Sequence, residues 1–120
     1  MTALPVAGNL HLAKFQRLET FARQNSSRWK LLAHDPRRIT EASALGVPLV
    51  LSGHTHGGQV VLPGLGAIAA QKFPIAAGTA RQGATTLFVS RGIGTVYVPV
   101  RINCPPEVSL LTLRPDPAVA

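Results

Sequence analysis

The stretch Val47-Pro48-Leu49-Val50-Leu51-Ser52-Gly53-His54-Thr55-His56-Gly57-Gly58-Gln59 decides how this chain is read. Val47 to Ser52 is apolar nearly throughout, too short for a helix, and closed by Gly53, which predicts a buried strand. Working back, Gly46 is placed to end a preceding helix in a left-handed turn. Ile39, Ala42 and Leu45 recur at the spacing of one helical face. Asp35-Pro36 supplies an N-cap and a proline suited to the first helical position. Before that, Trp29 to Ala33 reads as a second buried strand, delivering His34 at its end. Strand, helix and strand in this order form a βαβ unit, so the chain is predicted to be α/β. Both strands deliver histidine at their carboxyl ends, where sites form in such sheets.

His54 and His56 are two apart. On an extended strand both rings project to one face. On a loop, Gly53, Gly57 and Gly58 let the backbone turn so that both rings reach one centre. Flanking glycines also point to a close backbone approach. Imidazole suits zinc, manganese and iron, which makes His34, His54 and His56 the candidate metal ligands. A ligating ring needs an acceptor for its other N–H, which Thr55 or Gln59 is expected to help organise. The bland alternative is a set of polar loop histidines. His11 is assigned to the surface.

Further out, Leu4 to Ala7 reads as a short strand and Asn9 as a helix cap. Leu12, Phe15, Leu18 and Ala22 recur at helical spacing until Asn25-Ser26-Ser27. Past Gln59, the segments Val60–Leu62, Thr86–Ser90, Thr95–Val98 and Val108–Leu113 read as strands between Pro and Gly turns. Residues 115–120 read as a frayed tail.

The 120 residues carry 12 Lys and Arg against 5 Asp and Glu, a net charge of +7. The basic residues are dispersed and aromatics are few. Both features argue against a specific nucleic-acid partner. A basic surface leaves association with a membrane surface open. Cys104 is the only cysteine and is expected to pack as a small hydrophobe. Met1 to Leu10 shows no basic stretch followed by an apolar one, and no apolar run is long enough to cross a bilayer. The compartment, cytoplasmic or membrane-associated in a bacterium, stays open, as does the oligomeric state.

Leu31-Leu32-Ala33-His34-Asp35-Pro36, Leu49 to Gln59 and Pro63-Gly64-Leu65-Gly66 resemble the C-terminal part of a calcineurin-like metallophosphoesterase of the bacterial branch. Arg91-Gly92-Ile93-Gly94, Pro99-Val100-Arg101 and Pro105-Pro106-Glu107-Val108 continue the likeness. It covers residues 29–114 and leaves 1–28 poorly matched. The resemblance implies the C-terminal portion of a four-layer αββα sandwich, two divalent ions (Mn, Fe or Zn) and a phosphomonoester or phosphodiester substrate. It places His34 and His54 on the second metal and His56 on the first, with Gly53, Thr55, Gly57, Gly58 and Gln59 as loop support.

The family's Asp-x-His, Gly-Asp-x-x-Asp and Gly-Asn-His motifs are absent. Gly8-Asn9-Leu10-His11 is only an echo of the last. Without a bridging carboxylate, two like-charged ions repel at close range. The expectation is therefore a truncated hydrolase, inactive alone, whose missing motifs are encoded upstream of Met1. The alternatives are a small protein holding a single metal on the three histidines, and a basic binding domain.

Overall fold

The computed structural model describes residues 29–114. The strand, cap and helix expected between Leu4 and Ser27, and the tail 115–120, lie outside the described residues. The described part is α/β. Strands β1 (Lys30–Leu32), β2 (Leu49–Ser52), β3 (Gly78–Gln82) and β4 (Thr85–Val89) form one sheet in the order β1-β2-β4-β3. β2 runs parallel to both β1 and β4, whereas β3 and β4 form an antiparallel hairpin.

The βαβ unit forms as the sequence predicts. The Asp35 carboxylate accepts from the Arg37 backbone N–H, and Pro36 opens a 3₁₀ turn that runs into helix α1 (Ile39–Ala44). The helix closes on Gly46 at φ 72°, a left-handed residue. Gly46 N–H donates to Ser43 O at 3.1 Å and Val47 N–H to Ala42 O at 2.9 Å. These two bonds satisfy the last carbonyls of the helix. Ile39 and Ala42 are buried against Val50, Leu87 and Val89, with Leu45 and Trp29 packed at the margin.

The sheet departs from expectation in its burial. β2 is not buried on both faces: Val50 and Ser52 are covered, while Leu49 and Leu51 are half-buried. In β1, Lys30 and Leu32 are exposed, so the expected buried strand is an edge strand of the described sheet. The alternation arises because α1 covers one face.

Three expected strands do not form. Val60–Leu62 makes only isolated bridges, Val60 to Ile102 and Leu62 to Gly66. Thr95–Val98 and Val108–Leu113 are irregular, and Tyr97, Val108 and Leu110 are strongly exposed. Their β-propensity is not matched by a neighbouring strand, and propensity without pairing makes no sheet. Thr86–Ser90 is realised as β4. Its partner β3 was not expected, because Gly-Thr-Ala-Arg-Gln has little of the β-branched or aromatic character that marks a strand. The hairpin turns on Gly83-Ala84, with Gly83 at φ 58°.

Candidate metal centre

The parallel ladder brings the histidines to the carboxyl edge of the sheet. Beyond the last paired residues, Ala33 N–H donates to Leu51 O at 3.0 Å and Gly53 N–H to His34 O at 3.3 Å. The chain ends of β1 and β2 are thus tied side by side. The rings of His34 and His54 stand 4.4 Å apart, tilted at 53°. His54 also meets the Phe73 ring edge-on at 5.4 Å. Burial pushes His54 below the ordinary imidazole value, and the facing His34 adds to the effect. A neutral ring with a free lone pair is the form that binds a metal.

His56 points elsewhere. Its Nδ1 lies 3.2 Å from Gly94 O. Donation of Nδ1–H to that carbonyl leaves Nε2 with its lone pair for a ligand, the usual arrangement of a ligating histidine. The hydrogen-bond partner of the His56 ring is thus Gly94 O. Among the described residues no three His, Cys, Asp or Glu side chains converge on one point. His34 and His54 pair, and His56 stands apart. This geometry does not favour the single-metal alternative, which requires all three rings on one ion.

Thr55 and Gln59 shape the loop. The Thr55 hydroxyl donates to Ala76 O at 2.5 Å and accepts from Gly57 N–H at 3.2 Å. The buried Gln59 amide donates to Val96 O and Val98 O at 3.1 and 3.0 Å, and accepts from Val96 N–H at 2.7 Å. Close backbone approach occurs at two of the glycines, but the neighbour is protein. A Cβ on Gly57 would lie 2.6 Å from Cys104 Sγ, and one on Gly58 2.4 Å from Ala67 Cβ. Gly53 meets nothing within 4 Å. Cys104 is buried, as expected of a small hydrophobe, and its thiol faces the carbonyls of His56 and Gly57.

Arg101 is the residue whose part the sequence did not reveal. Its guanidinium donates to His56 O at 3.0 Å, Arg91 O at 2.9 Å, Gly92 O at 3.2 Å, Gly94 O at 2.7 Å and Cys104 O at 3.2 Å. It gathers the histidine loop and the 91–104 segment around one planar group, a task that suits the five-donor fork of arginine. The available signal was an arginine set between Val100 and Ile102. Asp35, the acid nearest the histidine pair in sequence, is engaged by the Arg37 guanidinium. That pairing holds its carboxyl down at about 2.

An α/β sheet with imidazoles at the carboxyl ends of adjacent parallel strands defines the class of scaffold. Comparison with known proteins narrows it. The chain is 37% identical over 86 residues to a metallophosphoesterase, YkuE, of Bacillus subtilis, covering 70% of this chain and 30% of that protein. It is 36% identical over 85 residues to the phosphodiesterase YaeI of Escherichia coli, covering 69% and 31%. It is 39% identical over 85 residues to a metallophosphoesterase of Aquifex aeolicus, covering 70% and 32%. The chain belongs to the metallophosphoesterase family. It spans about 30% of the length of the curated relatives it matches. No family model matches it, and no solved structure does.

Proposed function

We propose that this chain carries the histidine-bearing part of a metal-dependent phosphoester hydrolase, within a four-layer αββα sandwich. The observation that carries the reading is the His34–His54 pair, 4.4 Å apart at the carboxyl ends of two parallel strands. His34 and His54 would hold one divalent ion, and His56, oriented by Gly94 O, would hold the other. The donor set fits the imidazole share of such a site. Among the described residues it does not supply the carboxylate share, since Asp35 is engaged by Arg37, Glu41 by Arg38 and Glu107 by Arg91. Two bound ions would polarise the phosphoryl group and acidify a water. The 120 residues alone are therefore expected to bind metal without hydrolysing phosphoesters.

Calorimetric titration of the full chain with Zn²⁺ and Mn²⁺ tests this. His34→Ala and His54→Ala should each weaken the same binding event by roughly tenfold or more, at least the loss that outer partners cause. His56→Ala should leave that event in place. Titrations unchanged by both of the first two variants would remove the reading.

A further inference from the structure

We propose that the site takes phosphoesters bearing a long apolar chain, and that the chain lies in the groove bordering His54 and His56. The inference rests on the hydrolase reading and adds the substrate class. The groove has a volume of about 570 Å³, within the range of small-molecule sites. Its walls include Leu62, Ile68, Phe73, Val96 and Val98. Ile68, Val96 and Val98 remain about half exposed, at 49%, 45% and 55%. Apolar surface concave enough to hold a ligand, and still wet, gains most by covering with methylenes.

The groove's polar groups divide into two kinds. Gln59 and Thr55 spend their side-chain atoms on the backbone of Val96, Val98, Ala76 and Gly57. That leaves His54, His56, Lys72 and the exposed Tyr97 as the polar side chains facing a ligand, and of these only the histidines and Lys72 carry or can take positive charge. Phe73 joins the two regions. His54 meets its edge at 5.4 Å, while the Lys72 ammonium and the Arg37 guanidinium lie 5.3 and 5.4 Å from its centre. Lys72 has no carboxylate within ion-pair distance among the described residues. An anionic head beside the histidines and an apolar chain along the groove match this division of charge and surface. A small hydrophilic phosphoester would leave the apolar wall unused.

The test titrates the full chain with methyl, butyl and octyl phosphate, each kept monomeric, and separately with vesicles of anionic phospholipid. Affinity should rise with chain length, by up to roughly fourfold per buried methylene. Val98→Asp should remove the advantage of octyl over methyl phosphate, so that the two bind with equal affinity. Ile68→Asp should do the same, and serves if circular dichroism shows that Val98→Asp does not fold. Equal affinity across the series would overturn the proposal, and so would a chain-length effect that survives both folded variants. Binding to vesicles alone, abolished by salt and indifferent to Val98→Asp, would also overturn it, because that is adsorption by net charge. The metal titration separates the two failures. Loss of the chain-length effect with metal binding intact sinks only the groove. Intact chain-length dependence without metal binding at His34 and His54 sinks the hydrolase reading.

Discussion

The sheet with its helix and the loops at its carboxyl edge are held together by different forces. Val50, Leu87, Val89, Ile39 and Ala42 are almost wholly buried and form one cluster between sheet and helix. In the loops, Ala70 and Cys104 are the buried apolar residues among those described, and neither joins that cluster. Directional contacts replace burial there: the Gln59 amide, the Thr55 hydroxyl and the Arg101 fork, all spent on backbone. Hydrophobic burial is non-directional and tolerates small displacements, whereas hydrogen bonds fix positions. The sheet therefore supplies stability, and the loops supply the placement of His54 and His56.

Removing one element of each kind breaks the comparison open. Leu87→Ala should cost about 3 kcal/mol in chemical denaturation, because it opens a cavity in the middle of the cluster. A cost below about 1 kcal/mol would mean that the cluster is not the source of stability. Arg101→Lys keeps the charge and loses the fork. It should cost about 2 kcal/mol, read as faster amide exchange across residues 91–104 with the sheet amides little changed. Equal acceleration in β2 and β4 would show that loops and sheet unfold as one unit. The smallest effect lies at the junction. Asp35→Ala removes the cap before α1 and should lower stability by about 1 kcal/mol at neutral pH. The Asp35 carboxyl is held below its unfolded value of 3.8, at about 2, first by the side-chain hydrogen bond from Arg37. Its contribution is thus fully present above pH 3.8 and fades as pH falls toward 2. Wild type and variant should converge in stability over that window, and a gap that stays constant to pH 2 would contradict the assignment.

The same division explains what the sequence made legible. Asp35-Pro36, the Ile39-Ala42-Leu45 face and Gly46 each act over a few residues, so their signals stand in the local sequence and the βαβ unit follows. His34 and His54 meet because parallel pairing carries two strand ends to one edge. Thr95–Val98 and Val108–Leu113 have the composition of strands, yet a strand exists only where a partner offers a ladder. β3 gains its place from β4 and not from its own residues. The reach of Arg101 to five separate carbonyls is a long-range fact that no local spacing encodes, and neither is the pairing of the His56 ring with Gly94 O.

The loop from His54 to Gln59 holds three non-glycine residues in the left-handed region, His54 at φ 70°, His56 at φ 52° and Gln59 at φ 60°. For a residue with a Cβ that region is disfavoured by roughly 1–2 kcal/mol, and the backbone alone would select glycine. Gln59 recovers the penalty through three hydrogen bonds to the 96–98 segment. No histidine side chain in the loop makes three such bonds, the ring of His56 having Gly94 O alone among the described residues, so at these two positions the side chain returns less of the penalty. A designer asked only to make this loop fold would write glycine at 54 and 56, and the distance between that sequence and the natural one measures what the loop is kept for.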